Sequence, residues 1–290
     1  MNRISETDLI LNPDGSVYHL NLLPEDIADT IITVGDPERV HEVSKYFDQI
    51  ELKKSKREFT THTGSIGNRR LTVISTGIGT GNIDIALNEL DALVNIDLQT
   101  RLPKTSLQGL DIIRIGTSGA VQADIPLDSL LLSEAAIGLD TLMHYYRHGN
   151  DKEEEQLLTA FKRSLPPNSP FAPYIASASK SLLDKFGNGL PWGIAITAPG
   201  FYAPQGRQLR ARTAYPELMS AIQSFNSGGK RIANLEIETA GIYGMASVLG
   251  HKAISFNIIL ANRATQEFSK QPRQVIDDCI KQVLGRLINS

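Results

Sequence analysis

Apolar, β-branched runs alternate with amphipathic helical segments along nearly the whole chain, and few architectures accommodate that rhythm. The runs are TIITV (30–34), REFTTHTGSI (57–66), RLTVIS (70–75), DIIRIG (111–116), SLLLSEAA (129–136), WGIAIT (192–197), ANLEI (233–237) and AISFNIIL (253–260). Helical periodicity falls at 37–48, 82–95, 176–186, 216–225, 239–249 and 272–288. Strands alternating with helices predict an α/β fold: one domain over 1–290, with a central mixed, largely parallel sheet flanked by helices on both faces. In such folds ligands bind beyond the carboxyl ends of the strands.

The 290 residues suffice for a full core, and a 41% apolar, 21% charged composition is that of an ordinary globular protein. A net charge of −3 gives no electrostatic case for nucleic acid or an anionic membrane as partner. The opening residues lack the apolar core of a signal peptide and no stretch has transmembrane length, so a cytoplasmic location is expected. Cys279, the single cysteine, falls in the apolar stripe of the last helical segment and reads as a core residue. Residues 147–174, acidic and then proline-rich, read as a surface excursion. His144 and His148 have helical i,i+4 spacing but no third ligand, so no metal is expected.

Three strand ends carry unusual punctuation. In VGDPERV (34–40), Asp36 suits a helix N-cap and Pro37 the first helical position. Arg39 then sits in a first turn whose dipole disfavours a cation. Either an anion binds there, held by the Gly35 amide and Arg39, or Arg39 pairs with Glu42 or solvent. STGIGTGN (75–82) misses the dinucleotide spacing G-x-G-x-x-G, and its glycines fit a close ligand approach or a plain tight turn. In DIIRIGTSGA (111–120), Arg114 interrupts a run that reads as a buried strand. A buried arginine needs an anion: a ligand beside the donor-rich turn Gly116–Gly119, or an internal partner such as Asp111 or a glutamate from elsewhere.

Two further stretches carry chemistry. Glu236 and Glu238 in ANLEIETA lie two apart, on one face if the strand persists, where they would accept from a sugar diol; taken alone, a helix start enriched in acids is the better explanation. The loop TAPGFYAPQGRQLR (197–210) offers Phe201 for stacking on a heterocycle and Gln205 and Arg207 for its edge; a solvated basic loop is the alternative.

In this order the pieces resemble the nucleoside phosphorylase family, over about residues 15–265. VGDPERV is similar to its Gly-Asp-Pro-x-Arg phosphate loop, and STGIGTG and RIGTSGA to its Ser-Thr-Gly-Ile-Gly turn and Arg-Ile-Gly-Thr-x-Gly strand end. KREFTTHTG resembles the segment whose arginine, here Arg57, reaches a neighbouring subunit's phosphate. NLEIETA is similar to Asn-Tyr-Glu-Met-Glu-Ser-Ala, FYAPQGR to Phe-Tyr-x-x-Gln-x-Arg, and YHLNL to the early Phe-His-Leu-x-Leu.

The resemblance implies a phosphate site of Gly35, Arg39, Arg57, Arg114 and Thr117. It implies a ribose site of Glu236, Ile237 and Glu238, with His19 of a second subunit, and a base site of Phe201, Gln205, Arg207 and Arg263. Arg114, Gln205, Arg207 and Glu238 carry the catalysis under this reading. The expected reaction is uridine plus phosphate to uracil plus ribose 1-phosphate, in a homo-oligomer of at least two chains. No organic cofactor or metal centre is expected, and a monovalent cation near Glu58 and Ser75 is left open.

Base choice turns on ILANRAT (259–265). The family's purine branch has Ser-Asp here, whose aspartate protonates the purine; Asn262-Arg263 matches the uridine branch. Three departures stand out. Ile237 replaces a methionine, Pro204 a glycine, and GTGNID brings Asp84 near the phosphate side, where it is expected to point away. The rival readings are a purine phosphorylase, a hydrolase of the same fold and a non-catalytic nucleoside-binding protein.

Overall fold

The computed structural model describes residues 3–289. The first half is built as the sequence suggests. β1 (Thr30–Val34) is β-branched and buried; α1 (Pro37–Ser44) follows, with Pro37 at its start and Asp36 accepting from the Glu38 amide at 2.9 Å. The hairpin strands β2 (Gln49–Lys56) and β3 (Phe59–Ile66) lead to β4 (Arg69–Ser75) and α2 (Thr80–Asn95). The small pair β5 (Ile96–Asp97) and β6 (Leu102–Pro103) precedes two long strands, β7 (Asp111–Ala120) and β8 (Leu130–Gly138). The second half contains α3 (Lys152–Ser164), β9 (Tyr174–Ser177), α4 (Lys180–Phe186), β10 (Trp192–Thr197) and α5 (Leu218–Ser224). After them come β11 (Asn226–Ser227), β12 (Lys230–Glu236), α6 (Thr239–Leu249), β13 (Lys252–Asn262), β14 (Glu267–Phe268) and α7 (Pro272–Ile288).

One mixed sheet of twelve strands runs β11-β12-β10-β8-β13-β7-β1-β4-β3-β2, with β9 on β8 and β14 on β13. Parallel pairing joins β4, β1, β7 and β13 in succession, and β8, β10 and β12 likewise. The far end of β7 also pairs antiparallel with β12, Gly119 opposite Leu235. The strands β7-β13-β8-β10-β12 therefore close into a ring. This brings the ends of β7 and β12, more than a hundred residues apart in sequence, side by side.

Five local expectations need correction. Gly116–Gly119 is not a turn: β7 continues through it, because β13 and β12 supply hydrogen-bond partners to the end. The helix expected from 176 starts at Lys180, since Tyr174–Ser177 pairs with β8. The first helix stops at Ser44, short of 48, and β3 begins only at Phe59, leaving Arg57 in the hairpin turn at φ 56°. The 147–174 excursion contains α3, which has an Asp151/Glu154 capping box and buries Leu157, Leu158 and Phe161. Lys230 of β12 ties it down, reaching Glu134 at 2.7 Å and Glu153 at 2.8 Å. Cys279 is buried as expected, and burial pushes its thiol up to about 11. Among the described residues no helix is long and apolar enough to cross a membrane.

Candidate active site

At the carboxyl ends of β1, β7 and β12 lies a cavity of about 610 Å³. It is lined by Gly35, Arg39, Arg114, Thr117, Phe201, Gln205, Arg207, Glu236, Ile237 and Glu238 among others. Most of the candidates named from the sequence thus share one space, of a size suited to a small-molecule ligand.

Arg114 is buried, 6% exposed, and its guanidinium folds back over its own strand. Residues i and i+2 of a strand share a face, so a side chain at 116 would stand where that guanidinium lies. Position 116 is glycine; an added Cβ would come within 2.1 Å of Arg114 Nη1. Arg114 Nη2 donates to Glu238 Oε2 at 2.7 Å and lies 3.2 Å from Glu236 Oε2. Nη1 donates to Asn257 Oδ1 at 3.1 Å and Ser255 Oγ at 3.3 Å. Burial works against the charged guanidinium, but the attraction of Glu236 and Glu238 outweighs it and holds the arginine above its ordinary value. Of the two readings of this arginine, the internal partner is present: it is the glutamate pair, not Asp111.

The two acids differ in how they are held. Glu236 Oε2 accepts from the Glu238 and Thr239 amides, at 2.8 and 2.7 Å, while Oε1 accepts from the Thr197 hydroxyl. Its carboxylate caps the start of α6. Glu238 Oε1 accepts from the Gly79 amide at 3.0 Å. Gly79, at φ 96°, lets the loop before α2 turn that amide toward the acid. Each Glu238 oxygen carries one protein hydrogen bond and keeps acceptor capacity toward the cavity.

Arg39 stands apart. It is half-buried in the cavity wall, and its side chain has no hydrogen bond or ion pair with the other described residues. Glu42 is taken by Lys45, at 2.6 Å, so the pairing weighed for Arg39 does not occur. Burial presses its guanidinium below its ordinary value, and Arg114 adds to this while Asp36 opposes it. Glu238 attracts Arg39 only weakly, and no carboxylate of the described residues forms an ion pair with it. An anion entering here meets a cation that no protein carboxylate has claimed.

In the same cavity, Arg207 places its guanidinium carbon over the Phe201 ring, 3.8 Å from its centroid. It donates to Phe201 O at 2.7 Å and to Gln205 Oε1 at 2.5 Å. Gln205 is buried, and this bond orients its amide nitrogen away from Arg207. Burial and the neighbouring Arg263 both lower Arg207.

Arg263 does not line the cavity; it donates to Gly206 O at 3.2 Å and so braces the loop that carries Arg207. His19 and Arg57 also lie outside the cavity of their own chain. They sit together about Tyr18: the His19 ring is 4.9 Å from the Tyr18 ring, edge-on, and the Arg57 guanidinium is 5.7 Å from it. Glu89 holds His19 Nδ1 at 2.6 Å. Asp84 points away as expected, accepting from the Tyr146 hydroxyl and from Asn88 at 3.1 Å. Ser75 accepts from the Thr60 amide and donates to the Glu58 carbonyl, so its hydroxyl is engaged by backbone. His144 and His148 each meet a backbone carbonyl, and no metal-holding cluster occurs among the described residues.

The cavity wall also includes Leu260, Ala261 and Phe268, which the sequence did not single out. Phe268 is 62% exposed at the rim, and an aromatic within the polar TQEFSK was the one available signal.

The sequence profile of the Phosphorylase superfamily matches residues 29–288. The uridine phosphorylase of Thermococcus kodakarensis is 31% identical over 267 residues, 89% of this chain and 81% of that one. A DeoD-type purine nucleoside phosphorylase of Buchnera aphidicola is 26% identical, over 94% of this chain and all of that one. A Trypanosoma brucei nucleoside phosphorylase, described as showing uridine phosphorylase activity, superposes with a TM-score of 0.89 at 27% identity, covering 98% of this chain and 100% of that one. With the profile spanning the sheet and every cavity-lining strand end, the chain belongs to the phosphorylase superfamily.

Proposed function

We propose that the chain catalyses phosphorolysis of uridine, giving uracil and ribose 1-phosphate. The observation that carries this is the presence, in one cavity, of the unpartnered Arg39, the Phe201–Gln205–Arg207 cluster and Glu238. The similarity to enzymes named for this reaction supports it.

Phosphate is held by Arg39, Arg114, Thr117 and the Gly35 amide. Glu238 accepts from the ribose hydroxyls, with Glu236 fixing the helix start behind it and Ile237 packing under the sugar. As the glycosidic bond lengthens, positive charge grows on the ribose ring and negative charge on the uracil. The phosphate oxygen facing the anomeric carbon first stabilises the ring cation and then bonds to it. The pyrimidine leaves as an anion steadied by the Arg207 guanidinium and the Gln205 amide, and the phosphate proton passes to it. Arg263 acts through the loop rather than on the base.

The active unit is a homo-oligomer of at least two chains, in the cytoplasm, built from one domain per chain. His19 and Arg57 share an edge outside their own cavity, which suits service to a neighbour's site. No organic cofactor or metal centre is required for this chemistry. The purine reading is weaker. Asn262 spends its amide on Gln122 O and Ile125 O and its oxygen on the Ala264 and Thr265 amides, so no proton donor stands there for a purine leaving group.

The test is base release from uridine, followed by absorbance, with and without inorganic phosphate and beside inosine. Phosphate-dependent release from uridine alone is expected. Release from inosine instead would overturn the base site, and release without phosphate would indicate a hydrolase.

A further inference from the structure

We propose that Asn257 is a positioning residue for Arg114, and that as a neutral amide it gives the guanidinium an acceptor without adding a third carboxylate beside the phosphate site. The inference rests on the reading of Arg114 as a phosphate ligand.

In the parallel pairing of β7 with β13, Arg114 is in register with Ser255 and Gly116 with Asn257. Residues in register on neighbouring parallel strands project from the same face. The guanidinium that folds over Gly116 therefore lands against the Asn257 side chain, where Nη1 donates to Oδ1 at 3.1 Å. Asn257 is fully buried and does not line this cavity, so it would act on bound phosphate only through Arg114.

The direction of the amide is fixed from behind. Its Nδ2 donates to Ser133 Oγ at 2.9 Å, with longer contacts to Ser255 O and Oγ at 3.4 Å. Ser133 belongs to β8, the strand on the other side of β13. The chain of contacts thus runs Ser133, Asn257, Arg114, Glu238 across three strands and into the cavity.

An aspartate at 257 would accept the same hydrogen bond but add a third carboxylate to Glu236 and Glu238. The arginine, which already faces two carboxylates, would be drawn from the cavity side by a third, and a phosphate dianion would meet more negative charge. A leucine of similar volume would remove the acceptor and leave Nη1 with Ser255 alone.

The experiment is steady-state kinetics with each substrate varied in turn, on Asn257→Asp, Asn257→Leu, Ser133→Ala and the Ser133→Ala/Asn257→Leu double variant. Phosphate-induced thermal shifts are measured on the same proteins. The KM for phosphate should rise roughly ten- to a hundredfold in Asn257→Asp. It should rise less in Asn257→Leu, while the KM for uridine changes less than about twofold in both. Ser133→Ala should cause a smaller rise by itself and no further rise when added to Asn257→Leu, because its effect passes through the amide.

Equal rises for both substrates, or a rise for uridine alone, would overturn the proposal, as would wild-type phosphate dependence in the folded variants. If the Asn257 variants do not fold, Ser133→Ala decides: a rise confined to phosphate supports it and no change overturns it. If the wild type binds phosphate but does not cleave uridine, the proposed reaction fails while the phosphate shifts still test Asn257.

Discussion

Arg114 of β7 and Glu238, which follows β12 at the start of α6, form an ion pair of 2.7 Å in the cavity wall, where closure of the sheet brings β7 and β12 together. In the proposed reaction the pair joins the two substrates' sites, the arginine serving the anion and the glutamate the sugar.

Gly116 is the tightest control on that pair. In Gly116→Ala the new methyl would lie 2.1 Å from Arg114 Nη1, and the guanidinium must swing off Glu238. We expect kcat/KM to fall about a hundredfold or more. Kinetics beside a denaturant titration check this; unchanged kinetics in a folded variant would show that the arginine's fold-back is dispensable.

Arg39 has no protein partner to lose. Arg39→Met should leave stability without phosphate unchanged within about 0.5 kcal/mol, or raise it slightly. The same variant should lose most of the rise in melting temperature that phosphate gives the wild type. Melting curves over a phosphate series measure both, and an undiminished phosphate response would remove Arg39 from the anion site.

Arg207 holds Gln205 and, in the proposed reaction, the leaving base. Arg207→Leu should lower kcat for uridine by about 10²- to 10³-fold, as the loss of one preorganised donor does. A phosphate-induced thermal shift should persist, because the proposed anion site is made by other residues, Arg39 and Arg114. Loss of that shift together with kcat would mean the loop organises the whole cavity.

His62 is buried against Ser44, with Ser44 Oγ 2.7 Å from Nδ1. Burial first, then His41 and Lys53, lowers its pKa to about 4. The ordinary value is about 6.5, so between those two pH values the unfolded chain takes up a proton that the folded chain refuses. Stability from this group is present above the unfolded value and is lost as pH falls through that window. Denaturant midpoints should drop from about pH 7 to 5, and the drop should shrink in His62→Asn. An equal pH slope in both proteins would assign the acid sensitivity elsewhere.

Local chemistry was legible where neighbours in sequence decide the outcome. Asp36 and Pro37 start a helix because capping and fixed φ act within one turn. Arg114 announced its need for an anion by the cost of burial alone, though not which anion. The glycines at 116 and 119 read as a turn because their strand partners come from β13 and β12, far along the chain. α3 was hidden by the composition of KEEEQLLTAFKRS, whose helical face of Leu157, Leu158 and Phe161 finds its cover only in the folded protein. Leu260, Ala261 and Phe268 reach the cavity through the register of β13 and β14, which no local pattern encodes.

The ring of strands has a consequence for how such a protein can diversify. The proposed anion and sugar grips are fastened to one another by strand pairing and a buried ion pair, so neither would be exchanged alone. The segment from Ala198 to Glu217, which carries Phe201, Gln205 and Arg207, is outside that hoop and contains one short 3₁₀ turn. It can be rewritten as a cassette, and a new leaving group accommodated, on chemistry that stays where it is.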